Sequence, residues 1–356
     1  MPVLRRARRG SLAVNPAVVY FVPPERATAG VGAILEATGY FNRLRPKKRV
    51  GIKVHFGEQG NRNHLRPEFV RAAAIATSYY NLQPVVIETT ALYRGRRQQA
   101  TEHLQLAREH GFTIDNVLAP LEILDGRHGE KSYAVPLDSA LVPVARLAQG
   151  LRRIRYIINL AHFKGHMVAG FGGVIKNLAM GLAAKAGKLE MHSQSKPWID
   201  AEKCNSCGDC VDYCPADAIN FVQYVARIGF GCTGCGGCLA ICKRNAVKFD
   251  WDAGSETVQL KMVEYARAVL LGRELIHFNF CLNITPNCDC MTRTEKPVTP
   301  DVGLFGSLDP VACEQAAWDR VSAKLRPVWP QLKPELLLET AARQGLGTRE
   351  YQVVQL

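Results

Sequence analysis

Eight cysteines lie between positions 204 and 242, and their spacing carries the strongest chemical signal in the chain. Cys204, Cys207, Cys210 and Cys214 form a run of the type C-x2-C-x2-C-x3-C, and Cys232, Cys235, Cys238 and Cys242 repeat it 28 positions later. Ala218, Ile219 and Phe221 recur at the same offset as Ala246, Val247 and Phe249, so the segment is an internal repeat. Two-residue gaps let a tightly turning loop aim three thiolates at three corners of one cube. The spacing predicts two [4Fe–4S] clusters, and with them chemistry that moves one electron at a time. Gly208, Gly234, Gly236 and Gly237 let the backbone approach closely, so that amide N–H groups can point at the sulfurs and stabilise their charge. Zinc is the competing reading, but zinc sites usually show two separated pairs of cysteine or histidine, which a run of four repeated twice does not match.

Four cysteines stand outside these runs. Cys281, Cys288 and Cys290 form C-x6-C-x-C in a segment that also carries Pro286 and Asp289, compatible with a third metal or redox site. Cys313 falls in an alanine-rich helical pattern and reads as core. A second group of candidates is cationic. The apolar run Val50 to Val54 leads into His55, and Tyr156 to Leu160 leads into His162, Lys164 and His166, followed by Gly170 to Gly173, Lys176 and Asn177. Parallel sheets bind ligands at the carboxyl ends of their strands, where helix N-termini add N–H donors. His55, His162, Lys164, His166 and Lys176 are therefore the candidate catalytic residues of a pocket for a small anion. The run G-x-G-G-x-x-K-N is neither the phosphate-binding loop nor the dinucleotide fingerprint, so it does not carry nucleotide binding. The competing reading is a tight turn, with the histidines satisfying buried backbone groups. Glu88, Thr89 and Thr90 follow a third apolar run and either face the same cleft or cap a helix. Lys188 and His192 precede the cysteine-rich segment and are placed to link it to the pocket.

These residues need elements to hold them. β-branched runs at Val18 to Val22, Val50 to Val54, Val85 to Ile87, Leu121 to Leu124 and Tyr156 to Leu160 alternate with helical patterns such as Pro67 to Tyr80 and Arg97 to His110. Such alternation predicts an α/β fold with a mostly parallel sheet. The segment 198–252 breaks the pattern and reads as a small inserted module between an α/β domain at 17–197 and a return to it at 253–356. That return reads as mainly helical, over Thr257 to Leu271, Pro310 to Leu325 and Pro334 to Gln344. Residues 1–16 form a basic arm with Arg5, Arg6, Arg8 and Arg9.

Hydrophobic residues at 47% and charged residues at 22% exclude wholesale disorder. No apolar stretch reaches the ~18 residues of a membrane span. Asn15, Pro16, Pro23 and Pro24 interrupt any secretory leader, so a cytoplasmic location is expected, where thiols stay reduced and disulfides are rare. The formal charge of +13 is partly balanced by clusters that carry about −2 each with their thiolates. The remainder suits an acidic redox partner or a small anionic ligand, or is solvated surface; nucleic-acid binding would rest on charge and the terminal arginines alone.

The first run, extended by Pro215, resembles the bacterial two-cluster ferredoxins. In that family the fourth cysteine of each run ligates the other cluster. The resemblance implies one cluster on Cys204, Cys207, Cys210 and Cys242, and a second on Cys232, Cys235, Cys238 and Cys214. Lys243 and Arg244 stand where that family often has proline, and cations there favour the reduced cluster. GIKVHFGE (Gly51 to Glu58), HFKGH (His162 to His166), GFGGVIKNLAMG (Gly170 to Gly181), ITPNCDC and DVGLFGSLDP together resemble the DUF362 family of iron–sulfur-centre proteins. That resemblance implies an α/β domain combined with a ferredoxin module and no established reaction. The expectation is an iron–sulfur electron-transfer protein or oxidoreductase whose module feeds electrons to the cationic pocket. The alternative is a non-redox assembly or maturation factor whose clusters are structural or delivered to a client.

Overall fold

A computed structural model describes residues 16–193, 196–251 and 253–356, which leaves the expected basic arm outside the described residues except for its last position. In chain order the elements begin with β1 (Ala17–Val22), α1 (Ala27–Ala37), β2 (Arg49–Lys53), α2 (Pro67–Tyr79), β3 (Gln83–Glu88), α3 (Ala100–Glu109), α4 (Ile114–Val117) and β4 (Leu121–Ile123). A hairpin, β5 (Ser132–Pro136) and β6 (Val144–Ala148), precedes β7 (Tyr156–His162), and a second, β8 (Lys164–His166) and β9 (Gly170–Gly172), leads into α5 (Val174–Leu182) and α6 (Lys185–His192). The cysteine-rich unit holds β10 (Trp198–Ile199), α7 (Asp209–Asp212), β11 (Ile219–Val222), β12 (Val225–Ile228), α8 (Gly237–Ile241) and β13 (Val247–Lys248). The chain ends through α9 (Ser255–Leu270), β14 (Glu274–Cys281), β15 (Gly303–Ser307), α10 (Pro310–Leu325), α11 (Glu335–Arg343) and β16 (Tyr351–Gln355).

Eight strands form one sheet in the order β16-β1-β15-β14-β7-β2-β3-β4. β15 alone runs against its neighbours; every other pairing in the sheet is parallel. A sheet of this kind is buried on both faces, which is why β7 is buried along its whole length. Alternate residues serve opposite layers. Tyr156, Ile158 and Leu160 pack with α1 and α2, while Ile157 and Ala161 pack with α5, α9 and α10. No helix among the described residues is long and apolar enough to cross a membrane.

The five strands expected from β-branched runs are β1, β2, β3, β4 and β7, and the three late helices are α9, α10 and α11. The expectation that residues beyond 253 are mainly helical was incomplete, because they also supply β14, β15 and β16. β14 sits beside β7 in the middle of the sheet, yet His277 and Asn279 interrupt its apolar run and disguise it as a loop.

The strands of the cysteine-rich unit pair only with one another, β10 with β13 and β11 with β12. Its own core is small, built on Ile199, Ile219, Ala226, Ala246 and Val247 around Cys238. Three residues of the repeat, Ile219, Ala246 and Val247, thus provide the packing that holds the thiol-bearing loops.

Candidate functional site

β3, β2, β7 and β14 end side by side and deliver polar side chains to one edge of the sheet. Lys53, the last residue of β2, is fully buried, and its Nζ pairs with the carboxylate of Glu88 at the end of β3. The same Nζ donates to Asn177 Oδ1 of α5 at 2.8 Å. Asn177 Nδ2 donates onward to Asn159 Oδ1 of β7 at 2.7 Å, and Asn159 Nδ2 lies 3.3 Å from His277 Nδ1 of β14. Burial pulls Lys53 down to about 8 against the opposing field of Glu88. Glu88 is thus an ion-pair partner rather than a helix cap. Thr89 Oγ1 and the Thr90 carbonyl accept from Lys188 Nζ at 2.6 and 2.7 Å.

The glycine-rich segment builds the β8–β9 hairpin and leads into α5, whose first amides already have an acceptor. Glu314 of α10 accepts from Val174 N at 2.7 Å, from Ile175 N at 3.3 Å and from Asn279 Nδ2 at 2.9 Å. Burial pushes this carboxyl up to about 7 despite those donors. The first amides of α5 are therefore engaged by the protein itself.

The five cationic candidates all reach this edge, in different roles. Burial, then the charges of Arg97, Lys164, Lys53 and Lys176, hold His55 well below the ordinary histidine range, which places those cations around one neutral imidazole. Arg97 lies against the His55 ring, and His55 Nδ1 accepts from Gly57 N at 3.0 Å. His162 is fully engaged, with Nδ1 2.8 Å from Asp289 Oδ1 and Nε2 2.9 Å from the Leu282 carbonyl. Lys164 Nζ sits 3.3 Å from Asp289 Oδ2 and donates to the His162 carbonyl at 2.8 Å. Burial alone would raise Asp289, but His162 and Lys164 outweigh it and hold the carboxyl well below its usual range. His166 Nδ1 accepts from Ala169 N at 3.1 Å and so fixes the turn between β8 and β9. His162 and His166 hold the scaffold, as the competing reading had it, while Lys164 and Lys176 bring their charges to the neutral His55 ring.

Several members escaped the sequence reading: Lys53, Arg97, Asn159, Glu58 and Tyr93. Arg97 NH2 donates to Tyr93 Oη at 2.9 Å, while Arg97 Nε faces Glu58 Oε2 at 3.6 Å, beyond hydrogen-bond range. Both of those atoms are buried and without a hydrogen-bond partner among the described residues, and they meet each other as a long ion pair. The available signal was a lysine or asparagine inside an otherwise apolar strand, GIKV and IINLA. A groove of about 730 Å³ beside Glu122, Arg152 and Arg153 lies along β4 and is lined by no cysteine or histidine.

The three cysteines expected to converge do not. Cys281 is buried in the apolar core beside Glu314 and Cys313, and Cys313 is core as expected. Cys288 and Cys290 instead lie in the later loop, with Lys176 Nζ 3.3 Å from Cys288 Sγ. The physical reason is register. Cys281 ends β14 on the face that packs against α10, whereas Asp289 anchors the later loop to His162 and Lys164.

In the cysteine-rich unit the thiols gather in two sets. Cys204, Cys207, Cys210 and Cys242 line one cavity, and Cys214, Cys232, Cys235 and Cys238 line another. Each set takes three thiols from one run and one from the other. Burial first, then the neighbouring thiols Cys242 and Cys207, push Cys210 up to about 11, and burial with Cys235 and Cys232 pushes Cys238 to about 12. Thiols crowded in this way ionise together only when a cationic centre among them compensates the charge, which a metal cofactor does. Backbone donors already face the sulfurs: Ala218 N to Cys214 at 3.3 Å, Gly234 N to Cys232 at 3.4 Å and Ala246 N to Cys242 at 3.2 Å. Among the described residues no group of three or more His, Cys, Asp or Glu side chains is placed to hold a metal ion.

The second cavity adjoins the strand ends. Gln98 Nε2 donates to the Leu239 carbonyl at 3.1 Å and Gln99 Nε2 to the Ala240 carbonyl at 3.3 Å, both in α8. Gly236 adopts φ of +71°, and a Cβ there would sit 2.9 Å from Lys185 Cγ, so α6 supports the thiol-bearing loop directly. Arg97 and Gln98 are neighbours in the chain: one lies against His55 and the other reaches the cysteine-rich unit.

Residues 50–319 match the family described as Domain of unknown function (DUF362). No curated protein matches the chain. Among solved structures, the lactate racemase apoprotein from Thermoanaerobacterium thermosaccharolyticum aligns with a TM-score of 0.40 and 11% identity over 86% of this chain. The alignment spans 57% of the racemase.

Proposed function

Because the chain belongs to the DUF362 family, whose description states no reaction, its function has to come from the site, and we propose an iron–sulfur electron-transfer protein or oxidoreductase. The observation that carries this reading is the pair of four-thiol cavities, each drawing three cysteines from one run and the fourth from the other. Cys204, Cys207, Cys210 and Cys242 would hold one [4Fe–4S] cluster, and Cys232, Cys235, Cys238 and Cys214 the second. Each cluster, when bound, supplies a one-electron couple. The segment 198–252 is then a ferredoxin-like module inserted into the α/β domain.

The chain's own residues do the rest. The amides of Ala218, Gly234 and Ala246 donate to cysteine sulfurs and favour the more negative, reduced state. Gln98, Gln99 and Lys185 fix the second cysteine set against the strand ends. Lys164, Lys176 and Arg97 gather their charges around the neutral His55 ring, a setting suited to a small anionic substrate. Tyr224 and Phe230 stand exposed on the module near Arg227, which suits an acidic redox partner.

Anaerobically purified protein should contain about eight irons and eight acid-labile sulfides per chain, as two cubane clusters require. Stoichiometric zinc without charge-transfer absorption would overturn the reading.

A further inference from the structure

Cys288 and Cys290 are the two thiols that the cluster assignment does not use and the apolar core does not absorb. They flank Asp289, whose carboxylate is gripped by His162 and Lys164, so the backbone between them is pinned, with Cys288 buried and Cys290 half-buried. The loop is held from several sides. Thr285 Oγ1 donates to the Asn287 carbonyl at 2.7 Å, Asn287 Nδ2 donates to Glu295 Oε1 at 3.0 Å, and a Cβ on Gly165 would lie 2.1 Å from the Pro286 carbonyl. Lys176 Nζ, half-buried, forms no ion pair with a carboxylate among the described residues and points at Cys288 Sγ from 3.3 Å. An ammonium this close to a thiol favours the thiolate, and the sulfur it faces is that of Cys288.

We propose that Cys288 and Cys290 form a redox-active thiol pair that exchanges with a low-molecular-weight disulfide. Cys288 is the thiolate, stabilised by Lys176, and Cys290 is the resolving thiol. Cys288 Sγ attacks one sulfur of the incoming disulfide, forming a mixed disulfide and releasing one thiolate. Cys290 then loses its proton, attacks Cys288 Sγ and releases the second thiolate, leaving a Cys288–Cys290 bridge. One disulfide is reduced to two thiols and one dithiol is oxidised, so atoms and electrons balance. Hydrogen bonding from Cys290, more than burial opposes it, holds the Cys288 thiol well below its ordinary range, and Lys176 adds to the effect. Cys290 stays protonated in that contact, and the placement of Lys176 beside Cys288 rather than Cys290 assigns the nucleophile. A bridge across one intervening residue closes a small strained ring, and strained disulfides are the readily reduced, exchangeable ones. Returning the bridge to the dithiol takes two electrons, the number that two one-electron clusters deliver. The exchange itself needs no iron, so it stands or falls separately from the proposed electron transfer.

The test uses the full-length holoprotein equilibrated anaerobically in glutathione buffers of graded oxidised-to-reduced ratio. Samples are quenched in acid, unfolded, alkylated and digested with trypsin, and the peptide from Glu274 to Arg293, which carries Cys281, Cys288 and Cys290, is weighed. Reducing buffers should give three alkyl labels; oxidising buffers should give one label and the loss of two hydrogens. Lys176→Gln removes a group that stabilises the reduced pair, so its midpoint should move to a roughly tenfold more reducing ratio, about 30 mV, while Lys176→Arg stays near the wild type. Three labels at every ratio, or an unmoved midpoint in Lys176→Gln, overturns the proposal. Iron and sulfide measured in the same samples report on the clusters independently.

Discussion

Replacing Lys53 with methionine is expected to lower stability by about 3–5 kcal/mol, the cost of leaving a buried carboxylate without its partner. Lys53 and Glu88 are both buried and paired, and Asn177 loses its donor in the same change. Part of the loss will be recovered through Lys188 and Arg97, whose charges already act on Lys53 from nearby. The double variant Lys53→Met/Glu88→Leu should recover most of the stability, because removing both charges also removes the desolvation burden. Urea unfolding followed by far-ultraviolet circular dichroism, at equal iron loading, checks this. A single variant that loses less than about 1 kcal/mol would mean that the pair is solvated and that the strand ends form a wetter site than described.

The second large effect distinguishes crossed from sequential ligation. If each cluster takes its fourth cysteine from the other run, Cys204→Ser/Cys242→Ser disables one cluster twice and should retain about four irons, whereas Cys204→Ser/Cys214→Ser disables both and should retain almost none. Sequential ligation predicts the reverse outcome for the two double variants. Iron and sulfide analysis of anaerobic preparations reads the answer directly. The grouping of thiols around two separate cavities favours the first pattern.

Much of the fold was legible because parallel strands buried on both faces leave continuous β-branched runs, as in β2 and β7. β14 was missed for the reason that makes it useful: His277 and Asn279 place polar groups on the α5-facing side of a central strand, where Asn159 and Glu314 meet them. The cysteine runs were legible because ligand spacing is local. The strand-end cleft was only half legible, since Lys53, Arg97 and Asn159 gain their roles from partners far along the chain. Glu58 and Arg97 approach each other only after β2 and β3 align, and no local pattern announces that. The separation of Cys281 from Cys288 and Cys290 was equally hidden, because it depends on where β14 ends and on the anchoring of Asp289.

The central claim is that the cysteine-rich unit moves single electrons, and its most direct test is a potential titration of the anaerobically purified wild-type protein followed by electron paramagnetic resonance. Two one-electron reductions, each producing a paramagnetic cluster within the span of about −700 to +450 mV known for such centres, are predicted. A protein in which neither cluster can be reduced anywhere in that span would contradict the account.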